Sequence, residues 1–176
     1  RKDDGTPASV QKMLDHEISR GNGMCFLGDL KKFCERLKDE NILINPTETG
    51  VVFYSKWQGV PLCKLEAIEG YYQFGGFERG DFYQTFSTTD LTLAFKVLVL
   101  AKCPRVRSAL DYPKIVFPAR RKGWPVSPRY GQRGSLIDCD IDGYADKLSW
   151  VHDLSHEQLL EAYASKNGGL LSEWTS

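Results

Sequence analysis

Between Gly50 and Arg107 a series of short, aromatic-rich strand signals runs directly into a nearly all-apolar helical segment, Leu91 to Ala101. The strand signals are Val51 to Trp57, Leu62 to Ile68, Tyr71 to Phe74 and Phe82 to Phe86, preceded by a shorter one at Ile42 to Ile44. Each run alternates side chains or concentrates β-branched and aromatic types, and each is bounded by Gly or Pro: Pro46, Gly50, Gly59-Val60-Pro61, Gly70, Gly75-Gly76 and Gly80. Connections this short join only antiparallel neighbours, so a meander is expected. In the last strand the alternation places Phe82, Gln84 and Phe86 on one face and Tyr83 and Thr85 on the other.

The helix that follows has only Thr92 and Lys96 as polar residues between Leu91 and Ala101. A helix apolar on nearly every side is buried, so it is expected to cross the sheet as the central helix. Ser87 and Asp90 fit the cap and third places of its start, and Pro104 is expected to end it. The fold class is therefore α+β: an antiparallel β-meander packed against a buried central helix, with helices before it and a hairpin plus helix after it.

The flanks are read in the same way. Thr6-Pro7 starts a helix carrying Val10, Met13, Leu14 and Ile18 at helical spacing as far as Gly21. Asp29 caps a second, with Leu30, Phe33, Cys34 and Leu37 on one face and charges elsewhere. After the central helix come a short strand at Ile115 to Phe117, a loop rich in Pro, Arg and Gly from Pro118 to Gly134, a hairpin over Ser135 to Val151, and a closing helix over Ser155 to Lys166. The length of 176 residues suits one domain, with residues 1–24 as a peripheral N-terminal helix.

Charge and cysteines bound the function. Lys plus Arg and Asp plus Glu number 23 each, so no basic excess calls for a nucleic-acid partner. The longest apolar run, Val97 to Ala101, is far short of the roughly 20 residues that span a bilayer, so no membrane partner is expected. Five scattered cysteines, Cys25, Cys34, Cys63, Cys103 and Cys139, contain no C-x-x-C pair and no zinc rhythm. They read as reduced core thiols of a cytoplasmic protein.

Several constellations invite chemistry. Asp138, Asp140, Asp142 and Gly143, with Asp146 at the ninth place, spell the first half of a calcium loop, but the twelfth place is Ser149 where a bidentate Glu is needed. The plainer reading is a polar hairpin turning at Asp142-Gly143, whose carboxylates make a negative patch suited to a basic partner surface. His152 and His156 stand four apart, yet Ser155 and Gln158 form a capping box that leaves His152 outside the helix, so the spacing does not make a zinc pair. His16 lies far off in the first helix. The glycines of Gly70 to Gly80 follow no phosphate-loop pattern and read as strand, turn, strand. Arg120, Arg121, Lys122, Arg129 and Arg133 interleave with Trp124 and Tyr130. Such a mixture binds single-stranded nucleic acid in some proteins and anchors protein interfaces in others; overall neutrality favours the second use over the first, and an exposed loop with no partner stays open beside both. Neither G-x-S-x-G nor an activated cysteine motif occurs, so no catalytic residues are assigned and no cofactor is called for.

Taken in order, Gly59 to Leu65 (GVPLCKL), Gly70 to Phe74 (GYYQF), Glu78 to Gly80 (ERG), the helix around Leu91 to Leu100 and Arg105 to Ser108 (RVRS) resemble the immunity factor family of tuberculosis necrotizing toxin. The resemblance spans about residues 25 to 165. It implies a non-enzymatic antitoxin that binds an NAD glycohydrolase toxin one-to-one and blocks its active site. A toxin that destroys NAD acts at few copies, so its antidote is expected to bind at nanomolar strength, about 12 kcal/mol, through an interface of about 1,600 Å². A dinucleotide pocket is positively charged for the pyrophosphate. Under the resemblance, Asp138, Asp140 and Asp142 are therefore candidates to enter it as carboxylates, and Arg129, Tyr130, Gln132 and Arg133 to contact it as a polar loop. The alternative left open is a small metal-binding or enzymatic domain built on Asp138 to Asp146.

Overall fold

A computed structural model describes residues 41–123 and 142–176. The two N-terminal helices expected before residue 41 lie outside the described residues, as do His16, Cys25, Cys34 and Cys139.

Five strands, β1 (Ile42–Pro46), β2 (Gly50–Ser55), β3 (Pro61–Ile68), β4 (Tyr71–Glu78) and β5 (Asp81–Thr88), form one antiparallel sheet in chain order. The meander follows from connections too short to cross the sheet. The tightest is Arg79-Gly80, closed by the Glu78–Asp81 pair with both central residues at positive φ, 51° and 86°. That twist matches the twist of the flanking strands.

One face of the sheet is the core. Val51 and Phe53 stand opposite Leu65 and Cys63; Leu65 and Ala67 in turn face Phe74 and Tyr72, all buried. Phe74 pairs with Phe86, and the register then slips, leaving Thr85 as an extra residue in β5. This bulge breaks the expected alternation. Phe86 turns to the core face, whereas Phe82 and Gln84 share the opposite one, where the Phe82 ring meets Phe77 edge-on at 5.5 Å under the ammonium of Lys64. Gly75 makes the close approach possible, since a Cβ there would sit 1.9 Å from the Tyr83 carbonyl oxygen.

Helix α1 (Leu91–Ala109) packs against the core face of the sheet, with Ala94 to Leu100 buried without interruption. Its cap is Asp90, not Ser87: the Asp90 carboxylate accepts from the N–H groups of Thr92 and Leu93, while Ser87 belongs to β5. The helix also runs past Pro104, which stands on its exposed side. Pro104 removes one backbone donor, but Cys103 before it and Val106 and Arg107 after it are buried, and that packing outweighs the local penalty.

The C-terminal elements cover the rest of the helix. The expected hairpin is corrected over its described part: Tyr144–Val151 is a helix, α2, entered through Gly143 at φ 72°. A left-handed glycine serves a hairpin turn and a helix start equally well, and the choice is made by packing. Tyr144 sets its ring edge-on against both Phe74 and Phe86, at 6.4 and 6.2 Å, while Leu148, Ser149 and Val151 are buried. Helix α3 (His156–Ala164) starts at the expected box, in which Gln158 N donates to Ser155 Oγ and Ser155 N donates to Gln158 Oε1. A closing 3-10 helix, Gly169–Trp174, brings Thr175 into a single bridge with Ile115, so the expected strand at Ile115 to Phe117 is reduced to that bridge.

Two buried cations join these layers. Lys96 on α1 is 3% exposed and donates to the carbonyls of Val151 and His152 at the end of α2. Arg107 is 1% exposed and donates to four carbonyls, those of Pro113, Tyr163, Ser165 and Lys166, with no carboxylate partner among the described residues. Each cation meets the negative end of a helix, where the last carbonyls lack an intrahelical donor; Val151 O and Ser165 O accept from Leu154 N and Gly168 N as well.

Candidate partner-binding surface

The scaffold holds both described ends of the segment singled out for partner binding. On the entering side, Ala119 O accepts from Trp150 Nε1 at 3.1 Å, Arg121 N donates to Ser149 Oγ at 3.0 Å, and Arg120 Nε lies 3.7 Å from Asp146 Oδ1. On the leaving side, Asp142 is exposed and Gly143 leads directly into the Tyr144 ring seated on Phe74 and Phe86. The basic start and the acidic end thus meet at one place, the first turns of α2. The Arg120–Asp146 pair is partly solvated and contributes on the order of 0–1 kcal/mol, so position rather than stability is its consequence. Of the residues assigned to partner binding, Asp142 lies at this junction; Arg129, Tyr130, Gln132, Arg133, Asp138 and Asp140 lie outside the described residues.

The calcium-loop pattern does not survive in its second half. Asp146 and Ser149 sit within α2, and the Ser149 hydroxyl is fully buried, donating to Asp146 O and accepting from Arg121 N. A residue so engaged cannot close an ion loop. The two histidines belong to different elements: His152 follows α2 with Nε2 2.7 Å from Asp153 Oδ1, and His156 opens α3 with its ring 4.8 Å from that of Phe95. Among the described residues no group of three or more His, Cys, Asp or Glu is placed to hold a metal ion. Cys63 and Cys103 are free and buried, and burial pushes the Cys63 thiol up despite the opposing charge of Lys102, which suits packing rather than nucleophilic attack. No described helix is long and apolar enough to cross a membrane.

The segments that carry the family resemblance all lie in this framework. Gly59 to Leu65 leads into and through half of β3, Gly70 to Phe74 forms the start of β4, and Glu78 to Gly80 the turn after it. Arg105 to Ser108 is the last part of α1, and within it Arg107 joins α1 to the end of α3. Sequence reasoning passed over Arg107 because a single Arg in a helix has no local signal. Trp57 was also passed over; its indole donates to Asn41 Oδ1 at 2.9 Å while the residue is 76% exposed.

These elements define an α+β protein in which a five-stranded antiparallel meander is backed by a long buried helix and two shorter ones. No family profile matches the sequence, and no curated protein sequence does. Among solved structures the chain is similar to Rv3902c from M. tuberculosis, with a TM-score of 0.56 at 16% identity over 80% of this chain and 91% of that one. At that identity the likeness is one of fold.

Proposed function

We propose that this chain is an immunity protein: it binds a cognate NAD-degrading toxin one-to-one and occludes the toxin's active site, with no catalysis of its own. The observation that carries the proposal is the coincidence of two likenesses. The segments that resemble the immunity factor family of tuberculosis necrotizing toxin are those that build the sheet and the α1 junction. The fold they build is similar to a protein of M. tuberculosis across nearly its whole length.

The binding surface in this reading is the stretch between Lys122 and Gly143, with Arg129, Tyr130, Gln132 and Arg133 on one part and Asp138, Asp140 and Asp142 on the other. A rigid base lowers the entropy lost when a loop docks, and the contacts of Ala119, Arg121 and Tyr144 supply that base. Complex formation takes place in the cytoplasm of the producing cell.

Co-expression with NAD-degrading toxins encoded beside the gene is the direct test. Growth rescue together with a co-purifying one-to-one complex is the expected result. Failure of rescue with every such toxin would sink the proposal.

A further inference from the structure

The edge of the sheet carries a second interaction surface, independent of the antitoxin reading. From Asn41 to Asn45 the chain reads Asn-Ile-Leu-Ile-Asn, the same in both directions. Within the described residues β1 is the end of the sheet, pairing only with β2. Lys56 N donates to Asn41 O and Thr47 N donates to Gly50 O. In this register, therefore, residues 41, 43, 45 and 47 aim their peptide groups at β2. Ile42 and Ile44 aim theirs the other way, out of the sheet.

Such an edge is normally blunted by a Lys, a bulge or a proline within the strand. Here Asn41 to Asn45 carry no charge, and Pro46, the last residue of β1, blunts only the far end of the edge. Leu43 is 50% exposed on the face opposite the core, and the 76% exposed indole of Trp57 is held by its hydrogen bond to Asn41 Oδ1 at the start of the same strand edge. A large apolar side chain held in one conformation loses little entropy on being covered.

We propose that β1 pairs antiparallel with β1 of a second copy about a two-fold axis passing beside Leu43, joining two sheets edge to edge. The palindrome selects this occupant: under that axis Ile42 faces the second copy's Ile44, Leu43 faces its counterpart, and Asn41 faces Asn45. A two-fold interface requires each patch to be complementary to itself, and a palindromic strand meets that requirement residue by residue. The Ile42–Ile44 pairs exchange both main-chain bonds, and Leu43 meets Leu43 at the closely spaced, non-hydrogen-bonded position. Inward-facing Ile42 and Ile44 stay on the core face in both copies, so the two α1 helices lie on one side of the joined sheet. Five paired residues bury less than the roughly 1,600 Å² of a standard interface, so self-association is expected in the micromolar range.

The full chain tests this by sedimentation equilibrium from low micromolar to submillimolar concentration. The expected mass rises from one chain to two. Leu43→Lys and Leu43→Glu, each on a half-exposed outer-face residue, place like charges opposite each other and weaken the dimer by about tenfold or more. Mixing the two variants restores it as a mixed dimer. A one-chain mass at every concentration, a dimer indifferent to Leu43→Lys, or a mixture that stays monomeric would each overturn the proposal.

Discussion

Arg107 of α1 donates from Nη1 to the main-chain carbonyl of Tyr163, 2.9 Å away and 56 residues further along the chain, at the end of α3. The same guanidinium serves Pro113, Ser165 and Lys166, so one side chain organises the chain reversals after both helices. Arg107→Lys keeps the charge but loses the planar fork, leaving some of these buried and part-buried carbonyls short of a donor, although Ser165 O keeps Gly168 N. A loss of about 3 kcal/mol or more in urea unfolding is expected, because buried unsatisfied groups cost about 1–3 kcal/mol each. A loss below about 1 kcal/mol would show that water replaces the guanidinium.

Pro104 interrupts the hydrogen bonding of α1 from an exposed position. Pro104→Ala returns a donor to the Leu100 carbonyl and is expected to stabilise the protein by about 1 kcal/mol or more, read as a higher denaturation midpoint. An unchanged midpoint would mean that the helix has already adapted to the proline.

The β4–β5 hairpin predicts opposite signs at two positions four residues apart. Gly75→Ala drives a Cβ into the Tyr83 carbonyl and is expected to cost about 2 kcal/mol or more. Arg79→Asn replaces a residue held at φ 51° by one that tolerates the left-handed region, and is expected to gain about 0.5–1 kcal/mol. Thermal unfolding of both variants checks the pair.

Lys96 sets a pH dependence. Burial lowers its pKa below the ordinary 10.5, with Asp90 and Asp153 pulling the other way. Between the lowered value and 10.5 the unfolded chain binds more protons than the folded one, so the contribution of Lys96 to stability rises with pH across that window. Below the window both states are protonated and the cost of the buried charge is fully present. Wild-type stability minus that of Lys96→Met should therefore climb as pH approaches 10.5; a flat difference, measured by urea unfolding, would contradict it.

For the toxin-binding reading, changing Asp138, Asp140 and Asp142 together to asparagine should slow association with the cognate toxin and flatten its salt dependence. Stopped-flow rates at several ionic strengths decide the matter. An unchanged rate removes the acidic segment from the encounter while leaving the polar loop to carry it.

The strands, the glycine breaks between them and the buried central helix were legible in the sequence because each rests on a local pattern: alternation, turn chemistry, or an unbroken apolar run. The Ser155–Gln158 cap was legible for the same reason, since its two bonds close within four residues. The misreadings share a cause of the opposite kind. Pro104 signals a helix end, and Gly143 a hairpin turn, only when their neighbours are ignored. Val106 and Arg107 hold α1 together past the proline, and Phe74 and Phe86 draw Tyr144 into a helix.

By itself, then, the sequence determined the α+β class, the order of the meander and the burial of its helix, because hydrophobic period and turn residues act over a few positions. The tertiary structure alone decided where Lys96 and Arg107 find their carbonyls, which face Phe82 and Phe86 occupy on either side of the Thr85 bulge, and that the basic and acidic ends of the segment proposed for partner binding meet at α2. These depend on groups brought together from tens of residues apart, and no local pattern encodes that distance.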